Sequence, residues 1–275
     1  MPHWIPIAAL VAINILIFSI PAQAGFSVSF LDVGQGDAIL IQGPTGVQVL
    51  VDGGPDPSVL RELGSMLPFF DRTIDAVVAT HPDKDHIAGL VDVLERYEVA
   101  TFIESGIPSD TAPALALQAA LGAEGAERVL ARRGMRLVLG KGAYADILFP
   151  DRDVSGVETN TGSIVMRVVY GDTSIMLTGD SPQAIEKYLV SLGGLESDIL
   201  KAGHHGSKTS SSEEFITQVR PAYTIFSRGC DNSYGHPHPE VVERFNALKI
   251  KILDTCAEGT ITFISDGKTL SVSTR

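Results

Sequence analysis

The heptapeptide Thr-His-Pro-Asp-Lys-Asp-His ("THPDKDH") at residues 80–86 directly follows the apolar run "IDAVVA". Its two histidines and two aspartates fall within six consecutive positions. Pro, Asp and Lys are ordinary loop residues, so one interpretation is a solvated turn at the end of a strand. Imidazole and carboxylate together are also the ligand set used by zinc, manganese and non-haem iron. The other histidines of the chain distinguish between these interpretations.

Apart from His3, the histidines of this chain occur in pairs, and each pair follows an apolar strand pattern. The patterns are "VVATH", "ILKAGHH" and, after a longer loop, "TIFSRGCDNSYGHPH". Loops that follow strands at one edge of an α/β sheet assemble sites from distant parts of a sequence. The pairing therefore favours a metal site. The pairs are His81/His86, His204/His205 and His236/His238.

The spacing within the heptapeptide indicates two neighbouring cations. In an extended turn His81 and Asp83 can share a direction, while Asp85 and His86 face a second centre. The motif "LTGD" supplies Asp180 directly after a strand, and a carboxylate has two oxygens that can bridge two ions. The motif "GHHGS" supplies at least one further imidazole.

The composition excludes several classes of protein. The 275 residues are 44% hydrophobic and carry a formal charge of −12, which argues against a broad basic surface for nucleic acid. Only two cysteines occur, so a Cys-rich zinc module and a disulfide scaffold are both excluded. Cys230 and Cys256 can form one bridge in an oxidising compartment.

Residues 1–24 contain no Lys, Arg, Asp or Glu and end on Ala22-Gln23-Ala24, a small-x-small cleavage pattern. The apolar stretch from Ile5 to Ile20 is long for a signal peptide and short for a membrane span. We expect a signal peptide or an N-terminal membrane anchor over residues 1–24; a buried core helix is the alternative. Residues 25–275 then form one domain that is exported, either periplasmic or extracellular, or anchored facing outward.

From Phe26 onward, short apolar runs alternate with amphipathic stretches, which predicts a layered α/β fold with mixed sheets. Residues 104–142 are rich in Ala and Gly and predict only one or two weak helices. The other predicted helices cover Ser58–Met66, a segment starting near His86, Ser181–Leu192, Glu213–Val219 and a segment from Pro239.

Several motifs together resemble the metallo-β-lactamase-fold hydrolase domain of ComEC-type competence proteins, over about residues 26–275. This resemblance implies an αββα sandwich with a dinuclear metal site at one edge. It also implies a nuclease-like phosphodiesterase connected with DNA uptake. The motifs are "FLDVGQGDAILI", "VDGG", "THPDKDHIAGL", "NTGSIVMRVVYG", "LTGD", "LKAGHHGSKTSSS" and "NSYGHPHPEVVERF".

The resemblance also implies a set of metal ligands. Asp83 and Asn160 stand where the superfamily usually has histidines, which makes the first site richer in oxygen and favours manganese or magnesium. Two divalent ions, Zn²⁺ or Mn²⁺, are the expected cofactors. The implied ligands are His81 and Asp83 for the first ion, Asp85 and His86 for the second, Asp180 as the bridge, and His205 as a later ligand.

Further residues are expected around these ligands. Asp37 and Asp52 are expected to support the ligands, and Asn160 is either a weak ligand or a loop hydrogen-bonder. Ser207 and Lys208 follow the histidines, and the segment "SKTSSS" that they begin is expected to cap the next helix in preference to contacting a substrate phosphate. The remaining candidates are His204, which is expected to lie beside the ligand set, and His238 in the "GHPHP" motif.

The expected reaction is two-metal hydrolysis, with in-line attack of water on phosphorus. Asp85 and Asp180 would orient the water, and His236 or bulk water would protonate the leaving oxygen. The alternative roles of His236 and His238 are phosphate binding and a structural role. Activity is expected to fall below roughly pH 6, because the ligands must be deprotonated to bind metal.

Three hypotheses about function follow. The first is a nuclease acting on DNA, the second a hydrolase of small or envelope-linked phosphodiesters of the phosphorylcholine or teichoic-acid type, and the third a non-catalytic component of DNA uptake. No obligate protein partner is inferred; membrane attachment would come through the N-terminal segment. A nuclease requires basic residues at the metal edge, and the candidates are Lys84, Lys201, Lys208 and Arg228. The alternative places Lys201 as an exposed charge at a strand end.

Overall fold

The computed structural model describes residues 25–275. The predicted signal peptide or membrane anchor, residues 1–24, lies outside the described residues. Within the described range, every helix is too short or too polar to cross a membrane.

Fifteen strands form between residues 25 and 275, and most of them have the apolar character of buried sheet. In β8, for example, buried and half-buried residues alternate along the whole strand, as the two faces of a sheet require. The strands are β1 (Phe26–Phe30), β2 (Ile39–Gln42), β3 (Gln48–Val51), β4 (Thr73–Ala79), β5 (Glu98–Glu104), β6 (Glu127–Leu130), β7 (Arg136–Gly140), β8 (Ala143–Phe149), β9 (Val165–Tyr170), β10 (Thr173–Leu177), β11 (Ile199–Lys201), β12 (Tyr223–Phe226), β13 (Lys251–Asp254), β14 (Ile261–Ser265) and β15 (Leu270–Thr274).

The strands form two mixed sheets. The first has the order β15-β14-β1-β2-β3-β4-β5-β6 and the second the order β13-β12-β11-β10-β9-β8-β7. Strands β3 to β6 run parallel to one another, as do β10 to β13, and the other neighbours are antiparallel. The loops that follow β4, β10, β11 and β12 can therefore meet at one edge of the sandwich.

Helices cover the outer faces of both sheets. The first sheet packs against α1, α2 and α3 through a buried apolar layer that includes Leu63, Leu90 and Leu117. The second packs against α4, α5 and α6 through residues such as Leu189 and Phe215. The helices are α1 (Ser58–Met66), α2 (Lys84–Arg96), α3 (Ala112–Glu124), α4 (Gln183–Leu192), α5 (Glu213–Val219), α6 (Pro239–Ala247) and the short α7 (Thr255–Glu258).

The central apolar layer lies between the two sheets. Phe30 and Phe263 meet edge to face there, with ring centroids 6.2 Å apart, and Ile147 and Met166 come from the opposite sheet. Full burial of side chains of this size stabilises the fold by about 1.5–3 kcal/mol each. The layers run helix, sheet, sheet, helix, so the predicted αββα sandwich is confirmed.

The predicted helices over Ser58–Met66 and Glu213–Val219 have those bounds, and α6 begins at Pro239 as predicted. Two predicted starts are wrong by two residues, because α2 begins at Lys84 and α4 at Gln183. The segment 104–142 is more regular than predicted, since it holds the 13-residue helix α3. Apolar residues surround that helix almost evenly, so its sequence lacks the periodicity that marks a helix against a sheet.

Candidate metal centre

The heptapeptide forms the junction between β4 and α2. Pro82 follows the strand, and Asp83 occupies the N-cap position of α2 in an extended backbone conformation. An aspartate at this position usually caps the helix with its side chain, but within the described residues Asp83 makes no such bond. Its carboxylate lies 3.6 Å from Nε2 of His81 and accepts a hydrogen bond from the Thr159 hydroxyl at 3.2 Å. Helix capping therefore does not explain why an aspartate occupies position 83.

One oxygen of Asp180 is the centre of the histidine cluster. Asp180 follows β10 and is 2% exposed, and its Oδ1 faces the Lys201 ammonium at 3.4 Å. Its Oδ2 faces imidazoles on several sides, which suits a ligand that joins two ions through one oxygen. The distances from Asp180 Oδ2 to Nε2 are 3.3 Å for His86, 3.4 Å for His205, 3.6 Å for His204 and 4.0 Å for His81.

The other ring nitrogen of each buried histidine is held by the protein. Nδ1 of His86 donates to Asp52 at 2.8 Å, and Nδ1 of His205 donates to the Ser227 carbonyl oxygen at 2.8 Å. The Thr80 hydroxyl donates to Asp52 at 2.7 Å, so its oxygen accepts from Nδ1 of His81 at 3.0 Å. In all three rings these contacts place a proton on Nδ1, which leaves Nε2 as the atom that would bind a metal ion. Metal-binding histidines are held in the same way.

The free nitrogens fit metal ions. Nε2 of His81, His86 and His205 is buried and has no hydrogen-bond partner among residues 25–275. A buried polar atom without a partner costs free energy unless something else binds it. Ligand atoms about 2.0–2.1 Å from one tetrahedral ion lie about 3.3 Å from each other, close to the separations around Asp180.

The candidate ligand atoms form two overlapping groups. Nε2 of His81 lies beside the Asp83 carboxylate, and the Asp85 carboxylate lies 3.4 Å from Nε2 of His205. Donor atoms of His81, His86 and Asp180 form one compact group, and those of Asp85, His86 and His205 form another. The structure thus brings together all six predicted ligands in an arrangement suited to two ions.

The residues Asp37 and Asp52 lie where supports were predicted. Asp37 is buried between the Lys201 ammonium at 2.5 Å and Nδ1 of His205 at 3.5 Å. The motif "GQGD" that carries it packs directly on the metal-site loop, because a Cβ at Gly36 would lie 2.0 Å from the Asp85 carbonyl oxygen. Glycine is required there for close approach of two backbones.

Lys201 contradicts both sequence-based interpretations of this residue. It is neither a cation at the substrate edge nor an exposed charge, since its side chain is fully buried. Its ammonium group binds Asp37 and donates to the Gly179 carbonyl oxygen at 3.0 Å. The sequence places Lys201 at the end of an apolar strand, but nothing in the sequence shows that two carboxylates from other loops meet it there.

The cluster carries excess negative charge. Burial would disfavour an ionised Asp180, yet His205, His86 and Lys201 hold the pKa of this carboxyl well below its usual range. Burial likewise opposes protonation of His86, but Asp180 and Asp52 raise its pKa well above the ordinary value. With neutral imidazoles the formal charge is −4, which two divalent cations would neutralise. The charged groups are the carboxylates of Asp37, Asp52, Asp83, Asp85 and Asp180 and the ammonium of Lys201.

Backbone strain coincides with the site. His204 and His205 have φ values of 49° and 55°, and Asp52 has a φ of 58°. Residues other than glycine rarely adopt this left-handed region, and such strain clusters at functional sites. A hydrogen bond from the His204 amide to the Gly179 carbonyl oxygen at 3.2 Å holds the strained pair next to Asp180.

The remaining predicted residues lie at the rim. His236 and His238 are half-buried, and the backbone of His238 donates to the Gly206 carbonyl oxygen at 2.9 Å. Asn160 begins a 3₁₀ turn, and its side-chain oxygen is buried without a partner in the described part of the chain. Helix α5 is capped by Ser212, whose hydroxyl accepts from the Phe215 amide at 3.4 Å, so the "SKTSSS" segment caps it as predicted.

Ser207 and Lys208 do not provide that cap. The Ser207 hydroxyl instead lies 2.9 Å from the Thr209 hydroxyl, and Lys208 is exposed. Three residues that hold the site together were not predicted from the sequence: Thr80, Thr159 and Ser227. Short hydroxyl residues next to strand ends are too common for a sequence pattern to single these out.

Comparisons with known proteins agree with this geometry. Residues 31–229 match the Metallo-beta-lactamase superfamily. The chain is 32% identical over 255 residues to ComE operon protein 3 of Bacillus subtilis, covering 86% of this chain and 32% of that protein. It is also 32% identical over 258 residues to Recombination protein 2 of Haemophilus influenzae, covering 92% of this chain and 30% of that protein. The chain thus spans about a third of the length of these relatives.

A solved structure shows the same fold. The metallo-beta-lactamase fold protein YhfI of Bacillus subtilis superposes with a TM-score of 0.58 at 13% sequence identity, covering 90% of this chain and all of that one. At this level of identity the likeness concerns the fold alone. The superfamily match, the αββα sandwich and the histidine–aspartate cluster lead to one conclusion: this chain belongs to the metallo-β-lactamase superfamily and is related to the ComEC-type competence proteins.

Proposed function

We propose that this protein is an exported, dinuclear metal-dependent phosphodiesterase whose substrate is DNA. The observation that carries the hydrolase part is the convergence of imidazole Nε2 atoms on one oxygen of Asp180. The similarity to competence and recombination proteins supports DNA as the substrate. The disulfide between Cys230 and Cys256 supports export, because such bonds persist in oxidising compartments.

Two divalent cations in this site would acidify water and neutralise charge that develops on the phosphoryl group. The residues of the chain then have separate roles. Asp83 and Asp85 are 40% and 29% exposed at the side chain, so both can be reached from solvent. Asp85 can accept a hydrogen bond from the attacking water and orient it, and Asp180 presents one oxygen to the four surrounding imidazoles.

His236 is the candidate for proton transfer to the leaving oxygen. Burial, together with the neighbouring His204 and His205, lowers the pKa of His236 to about 4. At neutral pH its imidazole is therefore uncharged. It can protonate a leaving group only after it has taken a proton, which makes it a relay between solvent and substrate.

The electrostatics of the rim limit how DNA can bind. Lys84 and Lys208 are exposed near the site, but Arg228 is paired with Asp254 at 2.6 Å and Lys201 is buried. Of the four cations predicted at this edge, two remain available for phosphate. With a chain charge of −12, attraction of DNA must come from these local charges and from the metal ions.

The alternative is a hydrolase of small phosphodiesters. A cleft of about 440 Å³ adjoins His81, a volume typical of small-molecule sites. It is lined by apolar side chains such as Ile87, Phe102 and Leu117, which suit a compact apolar leaving group better than a polyanion. A purely non-catalytic role is the third hypothesis. A complete set of ligand atoms with fixed ring tautomers argues against it.

The test compares two substrates. The purified protein is incubated with Mn²⁺ and either a labelled single-stranded oligonucleotide or a chromogenic phosphodiester, with an Asp180→Asn variant as control. Cleavage of the oligonucleotide by the wild type but not by the variant is the expected result. Hydrolysis of the chromogenic diester alone would replace DNA with a small phosphodiester as substrate. Failure on both substrates, with metal bound, would favour the non-catalytic role.

A further inference from the structure

We propose that Tyr234 forms a stacking subsite for the nucleobase next to the cleaved phosphate; this inference rests on DNA being the substrate. Tyr234 is 68% exposed, although it lies beside a buried metal centre. Its ring stacks on His236, with centroids 5.7 Å apart and an interplanar angle of 22°. Most of the tyrosine therefore stays exposed to solvent in spite of this contact.

The stack leads directly to the metal centre. The His236 ring lies 6.5 Å from His205 at an angle of 30°, and 5.4 Å from His204. Nε2 of His205 in turn lies 3.4 Å from Asp180. Tyr234 is therefore the outermost ring of a series that begins at the metal ligands, and a flat group that stacks on it extends the series toward solvent.

The loop that carries Tyr234 is held in place before any substrate arrives. The side-chain amide of Asn232 donates to the carbonyl oxygens of Gly229 and His236, each at 2.8 Å. Its Oδ1 accepts from the His236 amide at 2.9 Å, and the disulfide of Cys230 with Cys256 ties down the start of the loop. A pre-formed ring loses little conformational entropy on binding, which favours affinity.

A nucleobase fits this position better than other flat groups do. Proteins that bind single-stranded nucleic acid combine phosphate contacts with aromatic rings on which bases stack, and one such stack changes affinity by roughly 5- to 150-fold. Stacking does not require positive charge. Stacking can therefore hold DNA on an acidic protein that has two exposed lysines near its site. It also requires an unpaired base, which favours single-stranded DNA over a duplex.

The test is a cycle of two changes, one in the protein and one in the DNA. Tyr234→Ala, Tyr234→Phe and the control Phe70→Ala are compared on a single-stranded oligonucleotide and on the same strand lacking the base next to the cleaved phosphate. Phe70 is 86% exposed in the loop before β4, at the opposite end of that strand from His81. Metal content of each variant is measured alongside, since a stacking role leaves it unchanged.

We expect Tyr234→Ala to raise KM for the intact strand by about 5- to 150-fold, with kcat changed less, and Tyr234→Phe to stay within about twofold of the wild type. Removal of the base should raise KM of the wild type by the same factor and should not raise KM of Tyr234→Ala further. The stacking subsite would be overturned if removal of the base raised KM equally in the wild type and in Tyr234→Ala. It would also be overturned if Tyr234→Ala cleaved the intact strand as well as the wild type does. Absence of DNA cleavage by the wild type would instead reject the proposed function, and the inference with it.

Discussion

The inner and outer histidines of the metal edge differ in how their rings are held. His81, His86 and His205 are at most 1% exposed, and each has Nδ1 fixed by a neighbour and Nε2 directed at Asp180. His236 and His238 are half-buried, and their Nδ1 atoms find no partner within residues 25–275. Rings that are fixed through Nδ1 with Nε2 toward Asp180 suit metal ligation, whereas the exposed parts of the His236 and His238 rings are open to contact with a substrate.

His204 tests this difference most sharply, because it shares features of both groups. Its Nε2 lies 3.6 Å from Asp180, but its side chain is 27% exposed and its Nδ1 contact with Thr209 is 3.3 Å long. We expect His205→Ala to reduce hydrolysis to background and His204→Ala to reduce it less, measured as kcat/KM on the same substrate. The reverse order would place His204 among the ligands and leave the metal site itself intact.

Lys201→Met should have the next largest effect, on stability. The substitution leaves Asp37 and Asp180 buried without their cation, and loss of one partner of a buried pair costs about 3–5 kcal/mol. Urea unfolding of the metal-free protein measures this loss. Lys208→Met is the matched control, since an exposed lysine should change the free energy of unfolding by less than about 0.5 kcal/mol. Equal stability of the two variants would contradict the role given to Lys201.

Asp52→Asn tests the support for the inner rings. An asparagine can still accept from His86, but it carries no negative charge and offers one acceptor oxygen for Thr80 and His86 together. Loss of such a support lowers metal affinity by about 10- to 100-fold. Asp172→Asn, at an exposed aspartate, is the control. Metal titration should show lower affinity in Asp52→Asn and unchanged affinity in Asp172→Asn. Unchanged metal affinity in Asp52→Asn would show that Asp52 does not support metal binding through His86 and Thr80.

The smallest expected effects concern the rim cations. If DNA is the substrate, Lys208→Ala should reduce the slope of log affinity against log salt by about one unit for the lost phosphate contact. Arg228→Ala should change the slope less, because Asp254 already pairs with this guanidinium. Filter binding to a single-stranded oligonucleotide over a range of salt concentrations compares the two variants. A larger change for Arg228 would mean that its pair with Asp254 opens on binding.

The sequence predicted the inner group better than the network around it. The alternation of His81, Asp83 and Asp85 after an apolar strand is a local pattern, and a local pattern can be read directly. The environment of Lys201 is set by Asp37 and Asp180, which reach it from loops far apart in the sequence. The tautomers of the inner histidines likewise depend on contacts such as the Ser227 carbonyl oxygen, which no residue type encodes.

The helices show the same division between local and distant causes. The bounds of α1 were predicted because polar and apolar residues alternate in it with a helical period. Helix α3 was predicted only as weak, because its apolar residues are spread around its surface. Its position over the first sheet is fixed by packing against α2, which includes Leu90 and Leu117.

The metal content of the purified protein tests the central claim most directly. After loading with Mn²⁺ or Zn²⁺ and removal of the excess, elemental analysis should find about two ions per wild-type chain and fewer than about one in Asp180→Asn, because one oxygen of Asp180 faces both His86 and His205. A wild type that retains no metal, or an Asp180→Asn variant that retains two ions, would contradict the dinuclear site.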